Sequence, residues 1–351
     1  MPTDPGQLSA PVPVNLLPAD AHGRITARRS NRGDGVTTAS DKTASDKTVR
    51  LPRLPNLLVI GVPKAGTGSL FAYLSQHPDI CPGDEKEIGY FNHFNPLRHR
   101  GPVPPLDTYR QHFTGWKGER YAFEATPTYS YGGGPVIEAV RDTLDRPRIV
   151  LVLRNPVDRL WSAYTFQREL GNLTDFASFE DYVAACRRRR RDGTDLVPGD
   201  HMHGLYIGYY VDYVPLWLDA FGDDIRVIFT EHLTRDPVAV MGGLFDWLGI
   251  DPAVATAMDL APRNRTNHPR SVRAARLAYS VKRIAERYGR VPTAIREPLR
   301  RTYQRINSGK PPKAMTQEMR QELEQLYRES NEQTGTALRA HGYTELPPWL
   351  P

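Results

Sequence analysis

The segment Leu57-Leu-Val-Ile-Gly-Val62 is a continuous apolar run that passes directly into Pro63-Lys64-Ala65-Gly66-Thr67-Gly68-Ser69-Leu70. A half-exposed strand would alternate polar and apolar residues, so this run reads as a strand buried on both faces, as in a parallel sheet. The glycines allow a tight turn, and the pattern from Ser69 to Gln76 predicts a helix opening out of it. Similar runs recur at Arg148–Leu153 and Arg226–Phe229, with a weaker one at Tyr121–Ala125. Helical patterns separate them at Val136–Leu144, Pro156–Glu169, Tyr209–Phe221 and Val238–Leu248. That alternation predicts an α/β fold: a P-loop-like wound parallel sheet flanked by helices, its core spanning 52–262.

The flanks read differently. Residues 1–51 are rich in Pro, Ser, Thr, Asp and Gly and contain a duplicated Ala-Ser-Asp-Lys-Thr at 39–43 and 44–48. They lack periodicity and are expected to be a disordered tail. Beyond 262 the strand pattern stops, and a helical C-terminal extension is expected. Ser271 to Tyr288 reads as a basic amphipathic helix, 290–313 as a proline-broken connection, and a last helix should start at the cap Thr316 with Met319, Leu323, Leu326 and Tyr327 facing inward.

Composition narrows the class. With 351 residues, 39% hydrophobic and 25% charged, the chain is an ordinary globular one and can bury a core without staples. Two cysteines, Cys81 and Cys186, make neither a zinc motif nor a disulfide framework. Prolines, Asp4 and Asp20 interrupt the first 21 residues, so no secretory signal is read there. No apolar run approaches the length of a membrane span. A cytoplasmic protein is expected.

The net charge of +6 is unevenly placed: 263–313 holds 15 Lys/Arg against 2 Asp/Glu, and the remainder is acidic. Arg187–Arg191 is a second basic block, read as a solvated helix end or loop.

The turn Gly61–Leu70 can offer several backbone N–H groups and a helix N-terminus to a phosphate or sulfate. It differs from the nucleotide-kinase pattern GxxxxGK[ST], because Lys64 precedes Gly66 and Gly68 and no GK[ST] follows. The run Arg148–Leu153 leads into Arg154-Asn-Pro156-Val-Asp-Arg-Leu-Trp-Ser162. Pro156 suits the first position of a helix. Arg154 would sit at the strand's C-terminal end, where open α/β sheets bind ligands, and Ser162 two turns on could reach the same anion.

These two segments together resemble the sulfotransferases that use 3′-phosphoadenylyl sulfate (PAPS), most closely the heparan-sulfate-type and bacterial branch. The resemblance implies that Pro63, Lys64, Ala65, Gly66, Thr67, Gly68 and Ser69 grip the 5′-phosphosulfate, while Arg154 and Ser162 hold the 3′-phosphate. Lys86-Glu87-Ile-Gly-Tyr90-Phe91 is similar to a stretch whose glutamate acts as base toward the acceptor. Glu124-Ala-Thr126-Pro127-Thr-Tyr129 is similar to a substrate-side motif, and the ending Leu346-Pro-Pro-Trp349-Leu350 to the family's C-terminus. Asn264, Arg265 and Thr266 fall where the family has a mobile basic loop over the 3′-phosphate. Lys64 and Glu87 are thus the expected catalytic residues, with His93 the rival base. PAPS is the implied co-substrate, PAP the implied product, and no metal is expected. Glu231 resembles a family glutamate and reads as a structural contact, whereas Tyr206, Tyr209, Tyr210 and Tyr213 suit either the acceptor cleft or the core.

Departures bear on the acceptor. Ala125 replaces a lysine, and Gly89 and Asn92 stand where the heparan-type proteins carry acceptor-contacting groups. The expected acceptor is therefore a small metabolite, glycoside or glycolipid rather than heparan sulfate, although polysaccharide sulfation stays open. The arginine- and alanine-rich composition suggests a high-GC bacterium. A nucleotide kinase explains the glycine turn alone. A nucleic-acid or anionic-membrane module explains the basic stretch alone, so no specific nucleic acid is expected and peripheral membrane contact stays open.

Overall fold

The computed structural model describes residues 53–98, 101–170, 172–173, 175–191, 201–261 and 314–351. The expected tail, the basic segment 263–313 and the residues Asn264, Arg265 and Thr266 lie outside the described residues.

Five parallel strands form one sheet in the order β2-β3-β1-β4-β5. They are β1 (Leu57–Gly61), β2 (Ile80–Pro82), β3 (Tyr121–Ala125), β4 (Arg148–Leu153) and β5 (Ile225–Phe229). The central strand β1 pairs with β3 on one side (Leu57 beside Phe123) and with β4 on the other (Leu57 beside Arg148). Every residue of β1 and β3 is buried, as expected of strands covered on both faces.

The helices are α1 (Thr67–Leu74), α2 (Leu106–Arg110), α3 (Gly133–Thr143), α4 (Pro156–Glu169), α5 (Phe179–Arg191), α6 (Val214–Phe221), α7 (Thr230–Arg235), α8 (Pro237–Leu248) and α9 (Gln317–Ala340). Local chemistry sets their ends. Asn155 caps α4, its Oδ1 accepting from Val157 N at 2.9 Å, with Pro156 in the first turn. Asp236 caps α8, and Gly249 ends it with φ 66°. Thr316 accepts from Met319 N at 3.2 Å, and α9 buries Leu323 and Tyr327 while Met319 and Leu326 pack against the same cluster.

One sequence expectation changes. The pattern Tyr209–Phe221 is not one helix: a 3-10 turn covers Tyr210–Asp212, and α6 starts only at Val214. Pro215 fits a helix that starts here, because it lacks the N–H that a continuing helix would bond and is tolerated in a first turn. The arginine block is the end of α5, anchored by Arg187 on Glu322 and by Arg190 over the Tyr209 ring at 4.0 Å. Strand β2 and helices α2, α5 and α7 had no sequence assignment.

The C-terminal segment closes the edge of the sheet. Tyr343 Oη accepts from Val227 N of β5 at 2.8 Å, so an open edge N–H is satisfied by a side chain. Trp349 packs near Tyr210 and Phe229, and Leu350 is buried.

Gly61 ends β1 under a tight roof. A Cβ there would lie 2.4 Å from Ser130 Oγ and 3.0 Å from Pro127 O, and Ser130 Oγ is itself bonded to Pro127 O at 3.0 Å. Gly61→Ala should therefore cost about 1–3 kcal/mol, read from the urea midpoint. An unchanged midpoint would show that the roof can give way.

Candidate active site

Strand β1 delivers the loop Val62–Gly66 to the N-terminus of α1, and β4 delivers Arg154 to the N-terminus of α4. Because β1 and β4 are parallel neighbours, both loops leave the same end of the sheet. Arg154 Nη1 donates to the Lys64 carbonyl at 3.1 Å. Segments 90 residues apart thus meet at one point. Thr230, just after β5, places its hydroxyl 2.7 Å from the Ala65 carbonyl and 2.9 Å from that of Leu153. Tyr210 Oη donates to the Arg154 carbonyl at 2.6 Å.

The loop leaves several backbone donors open. Gly66 caps α1 with φ 91°, and nothing lies within 4 Å of where its Cβ would be. Among the described residues, no backbone carbonyl takes the N–H of Gly66, Thr67 or Gly68. These are the orphan donors of a helix start, and they fit a phosphate or sulfate group. Ala65 and Thr67 are buried, Pro63, Gly68 and Ser69 half-buried. Ser162 lies two turns along α4 and is half-buried.

Lys64 Nζ rests 4.0 Å from the centroid of the Phe166 ring. Burial holds its pKa below the ordinary ammonium value, with Arg154 acting the same way, while Glu169 and Glu87 oppose the shift. Glu87 is therefore within electrostatic reach of Lys64. Its exposed carboxylate pairs with Lys86, and its N–H donates to the Ala125 carbonyl at 3.1 Å. Lys64 (φ 73°) and Glu87 (φ 66°) are two of the three non-glycine residues with positive φ among the described residues. Such backbone costs on the order of 1 kcal/mol and persists where the surroundings over-determine it, commonly at functional sites.

Beside Glu87 is an open pocket lined by Glu87, Ile88, Gly89, Asn92, His93 and Arg98. The rival base His93 thus lines the same pocket as Glu87.

Other expectations resolve clearly. Glu231 Oε1 accepts from Asn155 N at 2.8 Å and from Trp349 Nε1 at 3.1 Å, a structural contact as read. Tyr206, Tyr210 and Tyr213 are buried and belong to the core, and Tyr209 packs at 5.1 Å from Tyr327. Cys81 and Cys186 are free and buried. Sequence spacing could not show that His112 meets Asp84 (2.8 Å) and Glu85 (3.7 Å) at the surface. Sequence reasoning also missed Thr230, Phe166 and Glu169. Thr230 was findable from its place at the C-terminal end of a strand; the other two lie one and two turns beyond Ser162 on α4, with no motif to mark them.

The structure thus shows a wound parallel α/β sheet with two loops side by side at the C-terminal ends of β1 and β4. The family description "Sulfotransferase domain" matches residues 136–335, more than half of the chain, and the chain belongs to that family. It is 28% identical over 214 residues to the human bifunctional heparan sulfate N-deacetylase/N-sulfotransferase 2, covering 57% of this chain and 22% of that protein. The Drosophila melanogaster bifunctional heparan sulfate N-deacetylase/N-sulfotransferase is 29% identical over 240 residues, covering 63% of this chain and 22% of that protein. The chain therefore matches less than a quarter of the length of these relatives. A crystal structure of a sulfotransferase from Alicyclobacillus acidocaldarius shares the fold, with a TM-score of 0.59 and 24% identity over 85% of this chain and 99% of that one.

Burial pushes the Glu169 carboxyl up to about 7, with Lys64 opposing. A raised carboxyl pKa means that the folded state holds the proton more tightly than the unfolded chain, so stability is lost as pH rises from about 4.5 to about 7. Glu169→Gln should leave the melting temperature unchanged at pH 5 and raise it at pH 8. Equal effects at both pH values would contradict the burial.

Proposed function

We propose that the chain is a PAPS-dependent sulfotransferase that transfers a sulfuryl group to a hydroxyl, less favourably an amine, of a small metabolite, glycoside or glycolipid. The observation that carries this is the bond from Arg154 to the Lys64 carbonyl, which makes one site of the two anion motifs. The orphan N–H groups of Gly66, Thr67 and Gly68 supply the fit to an anionic donor. The family's use of PAPS supports the identity of that donor.

PAPS supplies the activated sulfuryl group. Sulfuryl transfer is read here as an in-line displacement, so the protein acts through position and charge. The N–H groups of Gly66–Gly68 hold the 5′ end, and Arg154 with Ser162 the 3′-phosphate. Lys64 stabilises the negative charge that develops on the departing oxygen, and its lowered pKa makes it a better proton donor there. Glu87, on the opposite loop, takes the proton from the acceptor hydroxyl as the new S–O bond forms. The Lys86 ammonium must release Glu87 for this.

The acceptor assignment is supported by the pocket beside Glu87. Its volume of about 160 Å³ suits one small polar unit, with the Asn92 amide, the His93 ring and the Arg98 guanidinium to hold it. Its open mouth also admits a longer glycan, which keeps polysaccharide sulfation as the second reading. A cytoplasmic location is proposed on the two free, buried cysteines. No helix among the described residues is long and apolar enough to cross a membrane.

Calorimetric titration should show micromolar PAP binding that is independent of magnesium, with ATP far weaker. Magnesium-dependent ATP binding would favour a kinase. Lys64→Ala should lower kcat by about two orders of magnitude while PAP affinity falls less. A change in kcat of only a few-fold would leave Lys64 as a loop residue.

A further inference from the structure

Glu124, at the end of β3, is fully buried and has no place in the transfer chemistry described above. Three hydroxyls surround its carboxylate. Tyr109 Oη (2.5 Å) and Tyr129 Oη (2.9 Å) donate to Oε1, and Thr126 Oγ1 (2.9 Å) donates to Oε2. A hydroxyl has one proton to give, and these protons go to the carboxylate. The oxygens of Thr126 and Tyr129 are then left to accept, and both do so from one loop. Thr126 Oγ1 takes the N–H of Gly89 at 3.2 Å, and Tyr129 Oη takes the N–H of Phe91 at 3.2 Å. These two amides follow Glu87 by two and four residues. Tyr109 touches the same carboxylate and donates to it, but its ring stacks on Tyr90 rather than bonding a loop amide.

We infer that Glu124 is a positioning residue for the transfer: through Thr126 and Tyr129 it fixes the lone pairs that hold Gly89 and Phe91, and so sets the strained turn that carries Glu87. The inference rests on the reading of Glu87 as base. Burial pushes the Glu124 pKa up, and the three hydroxyls work against that shift. A carboxylate accepting three O–H bonds gives the loop a defined acceptor on each hydroxyl. A protonated carboxyl would turn one hydroxyl around and compete for the lone pair that the loop uses. The left-handed backbone at Glu87 and Gly89 is then held from both sides, by Ala125 O on the Glu87 N–H and by these two hydroxyls.

The test compares variants that each remove one hydroxyl. Amide exchange at Gly89 and Phe91, resolved by NMR on the full chain, needs no acceptor. Thr126→Val should speed exchange at Gly89, and Tyr129→Phe at Phe91, by about tenfold, as expected for losing one hydrogen bond. Thr126→Ser should restore the Gly89 value. Tyr109→Phe takes a donor from the same carboxylate oxygen as Tyr129→Phe but touches neither amide, and should change both by less than about twofold, far below the loss of a direct bond.

Release of PAP from PAPS, with a simple alkyl glucoside as surrogate acceptor because its hydroxyl is un-ionised at neutral pH and needs a base, should slow by at least about tenfold in Thr126→Val and Tyr129→Phe, as expected for a misplaced base, while the Kd for PAP stays put. Glu124→Gln turns an accepting oxygen into a donor that competes for the Thr126 lone pair, and should speed exchange at Gly89 about as much as Thr126→Val. Unchanged exchange in Glu124→Gln, or in both Thr126→Val and Tyr129→Phe, would overturn the inference. Glu87→Gln in the same assay separates the two claims. Turnover retained there refutes Glu87 as base; turnover lost there but kept in Thr126→Val refutes the positioning role.

Discussion

The hydrogen bond from the Arg154 guanidinium to the Lys64 carbonyl joins two loops that the chain builds 90 residues apart. It exists because β1 and β4 are parallel neighbours, so the segments that follow them emerge side by side. Arg154 is held in turn through its own carbonyl by Tyr210, and Lys64 lies one residue from the carbonyl that Thr230 binds. The site is therefore an outcome of sheet order. A different strand between β1 and β4 would separate the two motifs while leaving each intact.

The opposite wall is built on a different principle. Strand β3, on the other side of β1, ends in a buried carboxylate whose hydroxyl partners reach across to the Glu87 turn. Burying a carboxyl group is unfavourable unless its hydrogen bonds are satisfied, and three hydroxyls satisfy this one. Lys64 and Glu87 both sit on left-handed backbone, and each is tied to a neighbouring strand end by main-chain or side-chain bonds. These bonds hold the backbone of the two residues in place on both loops.

Much of this was legible in the sequence because buried parallel strands leave unbroken apolar runs. β3, β4 and α4 have the limits read from Tyr121–Ala125, Arg148–Leu153 and Pro156–Glu169. Strand β2 was not legible: it has three residues and ends in Pro82, too short to show a pattern. Helix α5 was hidden by the five arginines at its end, whose partners Glu322 and Tyr209 come from distant segments. The motifs marked Lys64, Glu87 and Arg154, but not how they meet. Glu124 stands inside an apolar run, and only tertiary structure brings Tyr109 to it. Phe166 and Glu169 needed the helix α4 and the β1 loop to be seen together.

A crystal structure of the chain with PAP would test most directly whether the two loops form one donor site. The 5′-phosphate should lie on the N–H groups of Gly66, Thr67 and Gly68 beside Lys64, and the 3′-phosphate on Arg154 and Ser162. A nucleotide bound with its phosphates away from Arg154, or bound by only one of the two loops, would contradict it.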